Sequence, residues 1–203
     1  MKQPLSSEEK MQKIRQNFAE AQRILAGWME DPASFPAFQL AGDLMSECLA
    51  SGGKIIACGN GGSLCDAMHF AEELSGRFRK NRRPLPAIAV SDPAYLTCTA
   101  NDYGYEEVFS RFVAAFGKPG DILLAISTSG NSVNVLKAAE AARQAGMEMV
   151  ALTGKDGGAL SHKARVELRI GWEGYSDRIQ ELHILLLHSL VQYIEMSLGE
   201  EAL

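Results

Sequence analysis

The sequence of 203 residues predicts an α/β protein in which helices cover both faces of a parallel β-sheet. Beyond residue 53, short apolar runs typical of buried strands alternate with longer patterns typical of helices. Loops rich in glycine or hydroxyl residues separate them. No apolar run approaches the ~20 residues that a membrane span needs, so we expect neither a membrane span nor a membrane partner.

Two helices are predicted before the sheet. Ser6 and Glu9 form a capping-box pattern at the start of a helix that runs to about Met29. A second helix is predicted from about Pro36 to Ala50. The apolar residues of the first helix recur every three or four positions and form one stripe, which we expect to pack on a partner subunit: Met11, Ile14, Phe18, Ala21, Leu25 and Trp28.

The remaining elements alternate along the chain, and no linker divides it. We therefore predict one domain over residues 1–203, with a helical pair at 1–52 and an α/β core at 53–203. The predicted strands are Lys54–Cys58, Pro86–Val90, Ile122–Ile126, Met149–Thr153 and Val166–Ile170. The predicted helices are Leu64–Gly76, about Ala94–Ala100, about Glu106–Phe116, Val133–Gly146 and Ser176–Leu198, with a turn at Asn101-Asp102.

A loop of small hydroxyl residues, Ser127-Thr128-Ser129-Gly130-Asn131-Ser132, follows the third strand and opens a helix. The first helical turn offers unpaired N–H groups and a positive dipole end, to which the hydroxyls add donors. The loop contains no lysine and no P-loop pattern, so a single phosphate on a small molecule fits better than a nucleoside triphosphate. The alternative is an N-capped turn whose hydroxyls only satisfy the helix end.

A second loop, Gly59–Ser63, follows the first strand. Ligands of parallel sheets bind beyond the carboxyl ends of the strands, so the two loops are predicted to be walls of one pocket. On the helix that leaves Gly59–Ser63, His69 and Glu73 lie four residues apart on one face, and Glu72 flanks them. A solvated ion pair is the alternative interpretation of this spacing.

His188 lies in an apolar stretch of the last helix. It is either a core histidine or a residue for proton transfer or metal ligation. With His69, Glu73 and the amide of Gln180 it would make a nitrogen and oxygen set suited to zinc or another divalent ion. Gln180 and His188 are eight residues apart, a helical rise of ~12 Å, so their side chains must converge or come from different subunits.

The charge and the cysteines exclude other classes. A net charge of -5 argues against non-specific nucleic-acid binding. The first four residues lead into charge and not into a signal sequence, so a cytoplasmic location is expected. The four cysteines, which show no CxxC pair and are expected to be reduced thiols, are Cys48, Cys58, Cys65 and Cys98.

Seven stretches spread over residues 54 to 190 resemble the sugar-isomerase (SIS) domain family, and within it the branch that acts on a seven-carbon sugar phosphate. They are Cys58–Ser63, Asp66–Glu73, Ala87–Asp92, Asn101-Asp102, Ile126–Ser132, Leu152–Gly158 and Asp177–Glu181.

The resemblance implies a three-layer αβα sandwich with a five-stranded parallel sheet, and a homotetramer with active sites between subunits. It implies conversion of sedoheptulose 7-phosphate to D-glycero-D-manno-heptose 7-phosphate, toward the ADP-heptose of lipopolysaccharide. By matched position, Glu73 is the base and His188 the acid of an enediol(ate) mechanism. One Zn²⁺ per subunit is implied on His69, Glu73, Gln180 and His188. The implied substrate contacts are Asn60, Gly61, Gly62, Glu73, Asn101, Asp102, Ser127, Thr128, Ser129, Ser132 and Gln180.

Other members of the family define the alternatives. A non-enzymatic relative that binds the replication initiator has the same size, but it lacks counterparts of His69, Glu73 and His188, so the enzyme is favoured. Sugar-phosphate sensors carry a DNA-binding domain for which this chain has no room. Arabinose 5-phosphate isomerases usually carry a further pair of C-terminal repeats, whereas this sequence ends at Leu203.

Overall fold

The computed structural model describes residues 4–199, and within them the chain forms eight α-helices and five strands. The helices are α1 (Ser7–Glu30), α2 (Ser34–Ala50), α3 (Gly62–Ser75), α4 (Pro93–Tyr103), α5 (Ser110–Phe116), α6 (Val133–Gln144), α7 (Gly158–Ser161) and α8 (Ser176–Ser197). The strands are β1 (Ile55–Cys58), β2 (Ala87–Ala89), β3 (Ile122–Ser127), β4 (Glu148–Gly154) and β5 (Val166–Ile170). The predicted domain also includes residues 1–3 and 200–203, which lie outside the described residues. Residues 1–3 also belong to the N-terminal stretch that argued against a signal sequence.

The five strands form one parallel sheet in the order β2-β1-β3-β4-β5. Side chains of β1 alternate between its faces, as the pleat requires. Ile55 and Ala57 enter a buried cluster with residues of α2, α3 and α8. Ile56 and Cys58 enter a second cluster with residues of α5 and α6. The predicted three-layer α/β fold with five parallel strands is therefore confirmed.

The strand order creates a crevice between β1 and β3. These neighbours are parallel and in register from Ile55 opposite Ile122 to Cys58 opposite Ala125. The chain leaving β1 continues into α3 on one face of the sheet, and the chain leaving β3 continues into α6 on the other. Because the two connections diverge, a crevice opens at the carboxyl ends of these strands, where ligands of this topology bind.

Helix α1 begins at the predicted place, because Ser6 and Glu9 form both bonds of the capping box. Only the second half of its apolar stripe packs on the chain, through Leu25 and Trp28. In the first half, Phe18 is 74% exposed, and Met11 and Ile14 are also exposed. None of the helices in the described part of the chain is long and apolar enough to cross a membrane.

Two local predictions are wrong, and one short helix was missed. The expected turn at Asn101-Asp102 is the last turn of α4, which ends at Gly104 with φ +94°. The expected helix 106–116 is broken into a 3-10 turn (Tyr105–Glu107) and α5. The Ser110 hydroxyl, which bonds to the carbonyl and the carboxylate of Glu107, occupies this break. The short helix α7, which follows Gly157, was not predicted.

Helix α8 contains a second histidine, His183, whose side chain is buried in the protein core. His183 is fully buried, and its Nε2 donates to the carbonyl oxygen of Thr153 over 2.9 Å. Burial lowers the pKa of His183 from 6.5 to about 4. The interpretation as a core histidine, which we considered for His188, therefore applies to His183.

We predict that His183 makes the protein less stable in mild acid. Below pH 6.5 the unfolded chain protonates this histidine, whereas the folded chain keeps it neutral down to about pH 4. Stability therefore falls as the pH drops through that window, by about 2–3 kcal/mol between pH 7 and pH 4.5. Urea unfolding at both pH values should show a smaller difference for His183→Gln than for the parent. An equal difference in the two proteins would contradict the prediction.

Candidate active site

The hydroxyl loop lies at the carboxyl end of β3. Ser127 is buried at the end of the strand, and its Oγ lies 3.0 Å from the Oγ of Ser132. Ser132 is the N-cap residue of α6, yet within residues 4–199 its side chain makes no capping hydrogen bond. Ser129 Oγ accepts instead from the backbone N–H of Asn131 over 3.1 Å. The alternative of a capped turn is therefore not met by Ser132, whereas Ser129 satisfies an N–H beside the start of α6.

The connection from β4 to α7 supports the hydroxyl loop from behind. Asn131 Oδ1 accepts from the N–H of Ala159 over 3.0 Å, and the carbonyl of Gly130 accepts from the N–H of Leu160 over 2.9 Å. Gly130 is in the left-handed region at φ +63°, and a Cβ there would lie 1.9 Å from the carbonyl oxygen of Gly157. Only glycine fits this position without moving the loop.

The loop after β1 contacts, across the crevice, the helix that follows the hydroxyl loop. Asn60, which follows β1, exchanges two side-chain hydrogen bonds with Asn134 in the first turn of α6, at 2.9 and 2.8 Å. The Tyr105 hydroxyl donates to the same Asn60 oxygen over 3.0 Å. The sequence reasoning missed Asn134 and Tyr105. A polar residue on the buried face of α6 was the available signal for Asn134, which is almost fully buried.

His69, Glu73 and His188 come together between α3 and α8. His69 Nε2 lies 3.2 Å from Glu73 Oε1 and 3.3 Å from His188 Nε2. Glu72 is farther from His69, at 3.8 Å, and its side chain is 66% exposed, compared with 15% for Glu73. The ligand atoms of the three clustered residues all lie within 4.8 Å of one another. This spacing suits one divalent ion or a proton-transfer group.

Two further side chains lie beside this cluster. The ring of Phe78 stacks on that of His188, with centroids 5.9 Å apart. Asp66 is buried on α3, one turn before His69, and its Oδ2 has no hydrogen-bond partner among the described residues. Burial raises the pKa of Asp66 to about 6, and His69 opposes that shift. The sequence reasoning missed both residues as parts of the site.

The other residues predicted for the site lie outside the cluster of His69, Glu73 and His188. Gln180 packs against Gly62 at the start of α3, because a Cβ on Gly62 would lie 2.5 Å from Gln180 Oε1. Gly62 precedes His69 by seven residues, about 10 Å along the helix. Asn101 and Asp102 lie on α4, where they bond to each other and Asp102 bonds to Cys98. Gly61 caps the start of α3 at φ +55°, and Thr128 continues the hydroxyl loop.

The fold and the site define an α/β protein that combines a loop of hydroxyl residues at the end of β3 with a His–Glu–His cluster between α3 and α8. Comparison with known proteins gives the family. The model of the SIS domain family matches residues 16–154, which are more than half of the chain. The chain belongs to the SIS domain family and, within it, to the phosphoheptose isomerases, as the following relatives show.

The phosphoheptose isomerase of Serratia proteamaculans (strain 568) is 56% identical over 182 residues, which are 90% of this chain and 94% of that protein. Two solved structures have the same fold over 92% of this chain and 98% of their own. The phosphoheptose isomerase from Neisseria gonorrhoeae is 40% identical with a TM-score of 0.85. The one from Francisella tularensis is 39% identical with a TM-score of 0.87.

The close packing at Gly130 generates a prediction about anion binding. We expect Gly130→Ala to displace the hydroxyl loop, because the new methyl group would meet a backbone oxygen and the φ value is positive. Binding of inorganic phosphate, measured by calorimetry, should weaken by at least about tenfold.

Gly120→Ala is the matched control. Gly120 has φ +88° and open space around its Cβ position, and it lies in the turn before β3, at the other end of the sheet. This variant carries the same kind of backbone strain but should keep parental phosphate binding. Equal loss of phosphate binding in both variants would contradict the assignment of the loop.

Proposed function

We propose that the chain is a phosphoheptose isomerase that converts sedoheptulose 7-phosphate to D-glycero-D-manno-heptose 7-phosphate, the precursor of the ADP-heptose of lipopolysaccharide. The observation that carries the proposal is the meeting of His69, Glu73 and His188 between α3 and α8. The non-enzymatic alternative, a protein that binds the replication initiator, gives no reason for this cluster. The proposal takes residues 1–203 as one SIS domain in the cytoplasm, with no nucleic-acid or membrane partner.

Glu73 is the proposed base. Its carboxylate removes a proton from the carbon next to the substrate carbonyl, so that an enediol(ate) forms. The same carboxyl returns the proton to the neighbouring carbon, which makes the aldose from the ketose without net loss of atoms or electrons. Glu73 suits this role because its side chain is largely buried and lies beside His69.

His188 is the proposed acid. It protonates the oxygen on which negative charge develops while Glu73 holds the proton taken from carbon, and it takes up the proton of the neighbouring hydroxyl as the aldehyde carbonyl forms. The stacked ring of Phe78 fixes the plane of the imidazole and covers one of its faces. In this proposal His188 acts from α8 on an oxygen of the substrate, and Glu73 acts from α3 on its carbons.

The hydroxyl loop holds the phosphate in this proposal, through Ser127, Thr128, Ser129 and Ser132. The sugar lies along the first loop, where Asn60, Gly61, Gly62 and Gln180 contact it. Asn101 and Asp102 contact the substrate from α4. Binding energy from the phosphate, which does not react, orients the reacting carbons toward Glu73.

The cluster also suits a zinc ion, and we propose one Zn²⁺ per subunit. His69, Glu73 and His188 supply a nitrogen and oxygen donor set at compatible spacing, and Gln180 is the fourth proposed ligand. A bound ion would polarise the carbonyl and hydroxyl oxygens of the sugar. Gln180 packs against Gly62 in this chain, so it reaches the cluster only if its side chain moves or another subunit supplies it.

We further propose a homotetramer whose active sites lie between subunits. The exposed half of the α1 stripe supports this assembly, because Phe18, Met11 and Ile14 have no cover within the described chain. An adjacent apolar groove between α1, α2 and α8, lined by Trp28 and Phe35 among others, continues that surface.

We predict that Glu73→Gln abolishes isomerisation and leaves the fold intact. An amide cannot accept the carbon-bound proton, so kcat for sedoheptulose 7-phosphate should fall by about 10²- to 10⁴-fold. NMR in D₂O follows both the product and the entry of deuterium at carbon, and repeating the run after chelation reports the part played by metal. Glu72→Gln is the matched control, because Glu72 is the adjacent, exposed carboxylate; it should keep kcat near the parental value. Parental deuterium exchange in Glu73→Gln would remove Glu73 as the base.

We predict that His188→Gln also lowers kcat by about 10²-fold or more, since glutamine has no proton to transfer at neutral pH. The control is His162→Gln, on a histidine that follows α7 and lies outside the cluster. The same NMR assay compares the two variants. A near-parental rate for His188→Gln would return His188 to a packing role.

A further inference from the structure

The segment between α3 and β2 contacts one face of α8 at three successive points. Phe78 stacks on His188, and Arg79 Nη1 donates to Gln192 Oε1 over 3.0 Å. Arg82 Nε donates to Glu195 Oε1 over 2.7 Å. The three α8 residues are spaced by four and three positions, which places them on a single helix face. The segment therefore runs along α8 beside the proposed acid.

Arg82 is the deepest of these contacts. Its side chain is 1% exposed and that of Glu195 is 6% exposed, so the pair is withdrawn from water. The same guanidinium donates from Nη2 to the carbonyl of Glu73 over 2.6 Å and from Nη1 to that of Leu74 over 2.8 Å. One planar group thus binds the proposed base through its backbone and α8 through a carboxylate.

The carbonyls that Arg82 binds belong to the last turn of α3, which ends at Ser75. The last four carbonyls of a helix have no partner within the helix and need donors from elsewhere. A cation at this end also complements the helix dipole. Lysine would not replace arginine here, because the five donors of the guanidinium are held in a rigid fork.

We propose that Arg82 is a positioning residue that sets the distance between Glu73 and His188, a proposal that rests on the proposed function. Glu195 lies seven residues, or two helical turns, beyond His188 on α8. The Arg82–Glu195 pair therefore prevents α3 from sliding along α8. It thereby keeps the distance between Glu73 and His188 constant. A buried ion pair adds little net stability, because desolvation offsets its attraction, but it holds one geometry.

A purely structural cap would behave differently. If Arg82 only closed the end of α3, its loss would lower stability, and the activity of the folded fraction would be unchanged. A positioning role predicts a loss of kcat in folded protein with little change in KM, because the hydroxyl loop proposed to hold the phosphate lies between β3 and α6, away from Arg82. Separate measurement of stability, kcat and KM distinguishes the two.

The test uses the full chain with two changes at this position. Arg82→Lys keeps the charge and loses the fork. Arg82→Met combined with Glu195→Leu replaces the buried pair by apolar side chains, an exchange that often preserves stability. For both variants we expect kcat to fall by about 10- to 100-fold with KM within about twofold of the parental value.

Asp121→Asn is the matched control. Asp121 is fully buried at the other end of the sheet, where it pairs with the ammonium of Lys54 and accepts from the backbone N–H of Lys54 over 2.9 Å. Loss of this charge should lower the unfolding temperature and leave kcat unchanged. The contrast separates damage to a buried ion pair in general from damage to this one.

The results of these experiments distinguish failure of the positioning role of Arg82 from failure of the proposed isomerase function. Parental kcat in folded Arg82→Lys and in the double variant would overturn the positioning role, even if Glu73→Gln is inactive. If the double variant does not fold, Arg82→Lys and Glu195→Gln decide by the same split between kcat and KM. A proportional loss of kcat in Asp121→Asn would also overturn it. Absence of any turnover of sedoheptulose 7-phosphate by the parental protein would overturn the proposed function itself.

Discussion

The packing of α3 against α8 is the constraint on which the rest of the site depends. The two helices lie more than a hundred residues apart in sequence, and apolar side chains bring them together: Phe70 and Leu74 share a buried cluster with Leu187 and Val191. This packing brings His188 within 3.3 Å of His69. A shift of one helical turn would move the two histidines about 5 Å apart along the helix axis. The cluster therefore forms only when α3 and α8 pack in this register.

The sheet supplies the other half of the site. Strands β1 and β3 are adjacent and parallel, yet their following helices cover opposite faces, so the two loops end at one crevice. The Asn60–Asn134 amide pair then ties the loop after β1 to the first turn of α6. The proposed phosphate site thus lies on rigid elements, which suits a substrate whose charged end must be held while its other end reacts.

Much of this architecture was predictable from local signals. The capping box at Ser6, the five apolar strands and the spacing of His69 and Glu73 are short-range features, and the structure confirms each of them. Glu73 could be preferred over Glu72 from helical spacing. The residue pattern of α8 alone could not distinguish a core histidine from a site histidine, and only the family resemblance pointed to His188. His183 and His188 both lie in an apolar stretch, and only tertiary packing directs one to Thr153 and the other to His69. The buried Arg82–Glu195 pair was missed for the same reason, because its partners are 113 residues apart.

In the proposed complex, one sugar phosphate spans the distance between the hydroxyl loop and the carboxylate of Glu73 on α3. The most direct measurement is a crystal structure of the assembled Glu73→Gln protein with sedoheptulose 7-phosphate bound. We expect the phosphate to lie on Ser127, Thr128, Ser129 and Ser132, with the carbonyl carbon and its neighbour facing position 73 and His188. A phosphate held on that loop with the sugar directed into a cavity that does not include position 73 of any subunit would contradict it.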